Sequence, residues 1–289
     1  MEAIVITTSK KMTGPIFILI ASLLWSFSGV GVKYIPWNPL TIIFVRGVIA
    51  AITIACIRRQ WRIKFTLPTV GAALCIITTS VLFVVANQFT TAANVIVLQY
   101  TAPIYVLLIS IIRSKMKPRR IDVITIALTL CGIMLFFISD LGQGALLGNI
   151  LALLAGLVMS GIFIFSEMPG ANTWDSILLG CGLSVLFFPA LFFEPQLISA
   201  GPSPWVVAIL LGVFQLGIAY CFFAKGMQST GAVSSSIICG VEPILNPIWV
   251  FLLLGERPGM LALIGAAVVI VTICGYNVVS ARQAAKACP

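Results

Sequence analysis

Apolar stretches long enough to cross a bilayer follow one another along the whole chain, with only short connections between them. A spanning helix needs about 20 apolar residues. Such stretches fall near 13–35, 39–57, 67–88, 91–112, 121–139, 145–167, 176–193, 205–228, 232–254 and 260–280. Composition agrees, with 60% hydrophobic residues, 9% charged residues and a mean hydropathy of +1.14; an ordinary soluble domain has about 45–50% apolar and about 25% charged residues. The runs are too continuous for membrane-barrel strands, which alternate over about 10 residues. The first run is too long for a signal-peptide core and carries Trp25 and Lys33, so it reads as a retained helix. The expected fold class is an all-α membrane protein of ten transmembrane helices in a lipid bilayer.

Charge then sets topology. Lys10 and Lys11, the cluster Arg58, Arg59, Arg62 and Lys64, the cluster Arg113, Lys115, Lys117, Arg119 and Arg120, and the tail Arg282 and Lys286 hold 13 of the 17 basic residues. They alternate to one side of the ten runs, which is then the cytoplasmic side. The expected location is the cytoplasmic membrane, multi-pass, with both termini inside. The net charge of +9 therefore reads as membrane topology and points to no nucleic acid. Histidine is absent, which removes the commonest metal ligand and the imidazole proton relay. The cysteines show no CxxC pair, so neither a zinc site nor a disulfide framework is expected, and they read as small buried hydrophobes. No cofactor is expected. Trp37, Trp61, Trp174 and Trp205 sit at loop edges, where indoles anchor the interface.

An internal repeat is visible at an offset of 140. Gln88, Thr90, Ala92, Pro103 and Ile104 align with Gln228, Thr230, Ala232, Pro243 and Ile244, all identical. Five helices per copy is an odd number, so the copies enter the membrane in opposite senses. The expected organisation is a 5+5 inverted-topology repeat, 1–140 and 141–289, around a central cavity near mid-membrane.

The ninth run holds the most informative residues. Ser235, Cys239, Glu242, Asn246 and Trp249 lie at i, i+4, i+7, i+11 and i+14, on one face of a helix. Glu242 is near the bilayer centre, where an unpaired carboxylate is expensive; it must face a cavity, find a partner or stay protonated. Its functional reading is a substrate-ammonium ligand or a proton-coupling site, and its structural reading is a packing acid bonded to backbone that Pro243 frees. Pro103, Pro243 and Pro247 remove backbone donors and are candidate hinges, leaving carbonyls near Gln99 and Cys239 as candidate acceptors. Asn94, Thr101 and Tyr105 form a second polar stripe on the fourth run, and Trp25 with Ser28 and Gly29 marks the first. Arg46 lies mid-way along the second run, where it pairs with a buried acid or captures a substrate carboxylate. Lys33 is near a run end and reaches the interface by snorkelling. Gly156, Ser160 and Gly161 permit close helix contact.

The stretches LLWSFSGVGVKY (Leu23 to Tyr34), FVRGVIAA (Phe44 to Ala51) and above all EPILNPIWVFLLLGERPG (Glu242 to Gly259) resemble the drug/metabolite transporter superfamily, in its EamA-type ten-helix form. The resemblance implies alternating-access transport of amino acids, related metabolites or amphipathic amines, commonly outward. It carries onto Lys33, Arg46, Glu242, Pro243, Gly255 and Glu256. One departure is that RSKMKPRR (Arg113 to Arg120) stands where the family repeats a GE after its fourth helix.

The reading is a monomeric, non-enzymatic transporter of small molecules, exporting apolar or aromatic amino acids, with the proton as a candidate coupling ion. The fourth and ninth helices, helped by the first, third, sixth and eighth, line its cavity. Organic amines held by Glu242 and the Trp249 face are the alternative. A channel would need a polar lining end to end, and an enzyme would need an acid, base and nucleophile set that is not visible here. A non-transport bundle stays open as a further alternative.

Overall fold

The computed structural model describes residues 2–114, 120–139, 145–166, 168–230, 238–255 and 259–287. Among them there is no strand. Helices α1 (Glu2–Trp25), α2 (Ser28–Tyr34), α3 (Pro39–Arg58), α4 (Leu67–Phe89), α5 (Ala92–Gln99), α6 (Ala102–Ser114), α7 (Arg120–Ser139) and α8 (Leu146–Ser166) are followed by α9 (Thr173–Gly182). A 3₁₀ segment Leu183–Phe193 continues α9, and the short turn α10 (Gln196–Ser199) follows. Then α11 (Ser203–Leu210), a π-helical segment Leu211–Ile218 and α12 (Ala219–Met227) form one rod, before α13 (Glu242–Leu254) and α14 (Met260–Ala287). Six spans are long and apolar enough to cross a membrane: Gly14–Tyr34, Pro39–Arg58, Leu67–Phe89, Leu146–Ser166, Thr173–Phe193 and Ser203–Met227. Shorter apolar helices cover Ala92–Val106, Glu242–Leu254 and Met260–Tyr276.

The ends follow from local chemistry. Asn38 accepts from the Leu40 N–H, Thr66 from Thr69, Thr91 from Asn94, and Asn172 from Trp174 and Asp175; each supplies an acceptor to an orphan donor of the first turn. Gly255 closes α13 with φ of 70°, a left-handed geometry that suits glycine.

The prolines lead the sequence to expect bends in the fourth and ninth spans, and the structure breaks both of these and the first span as well. The first breaks at Ser26–Phe27, the fourth at Tyr100–Thr101, and the ninth at Gly240–Val241. Pro103 and Pro243 each occupy the second position of the segment after a break, where a missing N–H is harmless. Pro247 lies inside α13, which runs through it unbroken. The later two breaks are 140 residues apart, the offset of the sequence repeat.

The core is built where helices approach closely. α4 packs on α8 and α9, α3 on the π segment and the 3₁₀ segment, α1 on α12, and α7 on α14. A Cβ at Gly156 would lie 2.7 Å from the carbonyl oxygen of Gln99, so only glycine lets α8 touch the break in the fourth span. The outer faces present Leu, Ile, Val and Phe, as a bilayer requires. Cys56 and Cys131 are exposed on these faces instead of buried, whereas Cys181, Cys221 and Cys239 are buried. Trp37 is 3% exposed, packed edge-on against Trp205 with centroids 4.7 Å apart, so it serves as loop core and not as an interfacial anchor. Trp61 is exposed.

Candidate functional site

The helix breaks meet around a cavity midway along the spans, with about 780 Å³ of non-atom space once its open mouth is included. Its wall is mostly aromatic and aliphatic, with Trp25, Phe83, Phe163, Tyr220 and Phe223 supplying the rings. Trp25 lies at 5.3 Å from Tyr220 in an edge-on contact and at 5.2 Å from Phe223. Arg46, Thr79, Ser80, Gln99, Gln215 and Glu242 are polar members of the same wall.

Glu242 is the first residue of α13 and is buried. The Tyr100 hydroxyl, at the end of α5, donates to its Oε2 at 2.6 Å. One hydrogen bond therefore joins the break in the fourth span to the break in the ninth. Sequence reasoning missed Tyr100; its signal was a position three residues before Pro103, the same place that Gly240 holds before Pro243. Cys239 also lines the cavity, and its carbonyl accepts from the Ser22 hydroxyl at 3.2 Å.

Arg46 is buried in the cavity wall, and one guanidinium nitrogen donates to Ser80 Oγ at 2.7 Å. The sequence-level expectation of a carboxylate partner is not met: among the described residues Arg46 makes no ion pair. An ion pair does form between Arg58 and Asp175, whose charged atoms approach to 2.6 Å off the line of a hydrogen bond. Asp175 also accepts from the Lys64 N–H at 3.3 Å, which ties the 59–66 loop to the start of α9.

Other candidates sit elsewhere. Asn246 is fully buried and donates to the Ser26 carbonyl at 2.9 Å and to Ser28 Oγ at 3.2 Å, stapling α13 to the break in the first span. Trp249 donates to Ser26 Oγ at 3.1 Å and stacks on Phe27 with centroids 5.1 Å apart. Neither residue belongs to the cavity wall, so the expected pairing of Glu242 with a Trp249 cation face is not formed. The rings on the wall are instead those of Trp25, Phe83, Tyr100, Phe163, Tyr220 and Phe223. Asn94 donates to Thr90 Oγ1 at 3.2 Å, Thr90 donates to Asn149 at 3.0 Å, and Lys33 donates to the Thr90 carbonyl at 2.8 Å. Lys33 is thus bonded into the bundle and does not snorkel. The Thr101 hydroxyl caps its own break by donating to the Leu98 carbonyl at 2.6 Å, and Tyr105 is half-buried outside the wall. Ser235 and Glu256 lie outside the described residues.

The chain is similar to an uncharacterized transporter of Archaeoglobus fulgidus, 25% identical over 267 residues, covering 89% of this chain and 93% of that protein. An uncharacterized transporter of Clostridium kluyveri is 24% identical over 289 residues, covering 91% and 93%. The Escherichia coli inner membrane protein YtfF is 30% identical over 120 residues, covering 42% of this chain and 37% of that one. A solved crystal structure shares the fold with a TM-score of 0.65 at 18% identity, over 94% of this chain and 99% of the other. The sequence pattern of the EamA-like transporter family matches residues 12–138 and again residues 146–278. Those two matches leave only the ends and a short mid-chain connection outside them, and the chain belongs to the EamA-like transporter family.

Proposed function

We propose that the chain is a secondary transporter of the cytoplasmic membrane that moves small, largely apolar metabolites outward by alternating access. Apolar and aromatic amino acids are the first substrates to test, and organic amines the second. The observation that carries the reading is the cavity itself, which is mid-depth, mainly apolar, and bounded by two helix breaks that a single Tyr100–Glu242 bond joins. Breaks at membrane depth are tolerated where they line a cavity or are buried in protein, and transporters place their sites at such broken helices.

The 5+5 inverted repeat, divided near residue 140, is supported by breaks at equivalent positions and by the two family matches. The positive-charge pattern supports cytoplasmic termini. In that orientation the outer end is held by the Lys33, Thr90, Asn149 and Asn94 cluster, by the Trp37–Trp205 contact and by Glu194 accepting from the Asn38 N–H. At this end α5 packs on both α8 and α13, and α6 beyond the break continues along α8. The arrangement fits a state closed outward. Glu242 is the proposed proton site and the chain is proposed to act as a monomer.

Counterflow in proteoliposomes of purified protein tests the reading. Saturable exchange of leucine or phenylalanine supports it; exchange of choline-like amines alone moves the substrate class; and no exchange of any small molecule overturns transport.

A further inference from the structure

The cavity's unmet hydrogen-bonding capacity is uneven, and that unevenness specifies a ligand. Among the described residues, four buried side-chain atoms on its wall have no protein partner: Arg46 Nε, Thr79 Oγ1, Gln99 Oε1 and Gln215 Oε1. Arg46 is 3% exposed, Gln215 6% and Thr79 8%. Buried polar atoms in folded proteins are nearly always bonded, so each of these wants an explanation.

Arg46 wants it most. The guanidinium is always charged and carries five donors in a planar fork. Here one donor is used by Ser80, and among the described residues no acid pairs with the charge. Other charges do not resolve this. Glu242 already receives the Tyr100 hydroxyl, and Asp175 is taken by Arg58. An isolated cation at mid-membrane is expensive and functional by default. Thr79, next to Ser80 in sequence, adds a hydroxyl donor to the same wall. The π-helical segment itself packs on α3 at this level: a Cβ at Gly212 would lie 2.9 Å from the Arg46 carbonyl oxygen. Gln215, three residues later, supplies an acceptor to the same wall.

We propose that Arg46, with Thr79 and Ser80, seats a carboxylate of the transported molecule, while the carboxamide oxygens of Gln99 and Gln215 receive its N–H group. This rests on the transport reading and goes beyond it in two ways. It assigns the substrate an obligatory anionic group, which organic amines lack. It also gives the substrate nitrogen to neutral carboxamides, leaving Glu242 free of substrate. The ring cluster of Trp25, Tyr220 and Phe223 then takes the apolar remainder.

Three ligands with one carbon skeleton separate the contributions: leucine, its decarboxylated amine 3-methylbutylamine, and its deaminated acid 4-methylpentanoate. Binding is read as thermal stabilisation of the detergent-solubilised protein, which a ligand of the folded state must produce, and movement as counterflow. Leucine and the acid should both bind, leucine more tightly, and the amine should not. Arg46→Gln should weaken leucine about 100-fold, the loss of charge-assisted bonds, with Arg46→Lys recovering part. Thr79→Val, a near-isosteric change that leaves the charge in place, should weaken both carboxylates about five- to tenfold. Equal binding of the amine, or carboxylate binding indifferent to both Arg46→Gln and Thr79→Val, overturns the seat and leaves transport standing. Arg46-dependent carboxylate binding without counterflow sustains the seat and overturns transport. If neither carboxylate binds, the proposal fails.

Discussion

A carboxyl group at the centre of a bilayer needs a donor or a proton, and Glu242 has been given a donor. Removing the Tyr100 hydroxyl, as Tyr100→Phe does, leaves a buried acid with less compensation. Stability in detergent should fall by about 1.5–3 kcal/mol, the range for bonds to charged groups, as read from a denaturation curve. Glu242→Gln keeps a neutral acceptor for Tyr100 and removes the ionisable group. The protein should fold and exchange substrate while losing accumulation driven by a pH gradient; normal accumulation in that variant would end the coupling role. The Arg58–Asp175 pair makes a sharper stability test, because Asp175 is fully buried. Arg58→Ala strands that charge and should destabilise by about 3–5 kcal/mol, whereas adding Asp175→Asn should recover most of the loss. Glu242, Cys239, Arg46 and Trp25 were all legible as residues of interest, since polar and aromatic groups stand out in an apolar run. Their partners were not. Tyr100 and Ser80 are unremarkable in sequence, and only packing brings them to Glu242 and Arg46.

At the scale of the helix, prolines located two of the three breaks. Pro103 and Pro243 sit at the start of the segments that follow, as the missing N–H dictates. The break at Ser26–Phe27 has no proline. It is held by tertiary contacts, with the freed Ser26 carbonyl taken by Asn246 and the Ser26 hydroxyl by Trp249. Glu242, Asn246 and Trp249 do share one face of α13, which is intact from Glu242 to Leu254. Only its first residue reaches the cavity, because one and two turns further on that face is covered by the first span. The π-helical segment Leu211–Ile218 was equally hidden. Its i→i+5 winding puts Gly212 and Gly217 on one side, where a Cβ would lie 2.6 Å from Ile49 Cβ and 2.8 Å from Thr53 Cβ. Gly212→Ala should cost about 1–3 kcal/mol through overpacking against α3, seen as a lower melting temperature. Gly182→Ala, with nothing within 4 Å of the new methyl, should leave it within about 0.5 kcal/mol of the parent.

Over the whole molecule, alternating access predicts a cavity whose exposure substrate controls. Cys239 lies on the cavity wall, whereas Cys56 and Cys131 face outward. In a variant with Cys239 as the sole cysteine, a small maleimide should react through the cavity mouth. A substrate at ten times its dissociation constant should slow that reaction about tenfold by occupancy; no protection by any transported compound would place the substrate elsewhere. From local composition alone it follows that the chain lives in a bilayer as a series of apolar helices, and which of its residues are too polar to face lipid. Those properties follow from local transfer energies and backbone satisfaction, which each 20-residue stretch carries alone. Tertiary packing sets which polar groups share a cavity, that Arg46 faces it with no acid beside it among the described residues, and that Trp249 does not face it at all. Those outcomes depend on helix breaks and close approaches between distant segments, set by contacts that no single stretch contains.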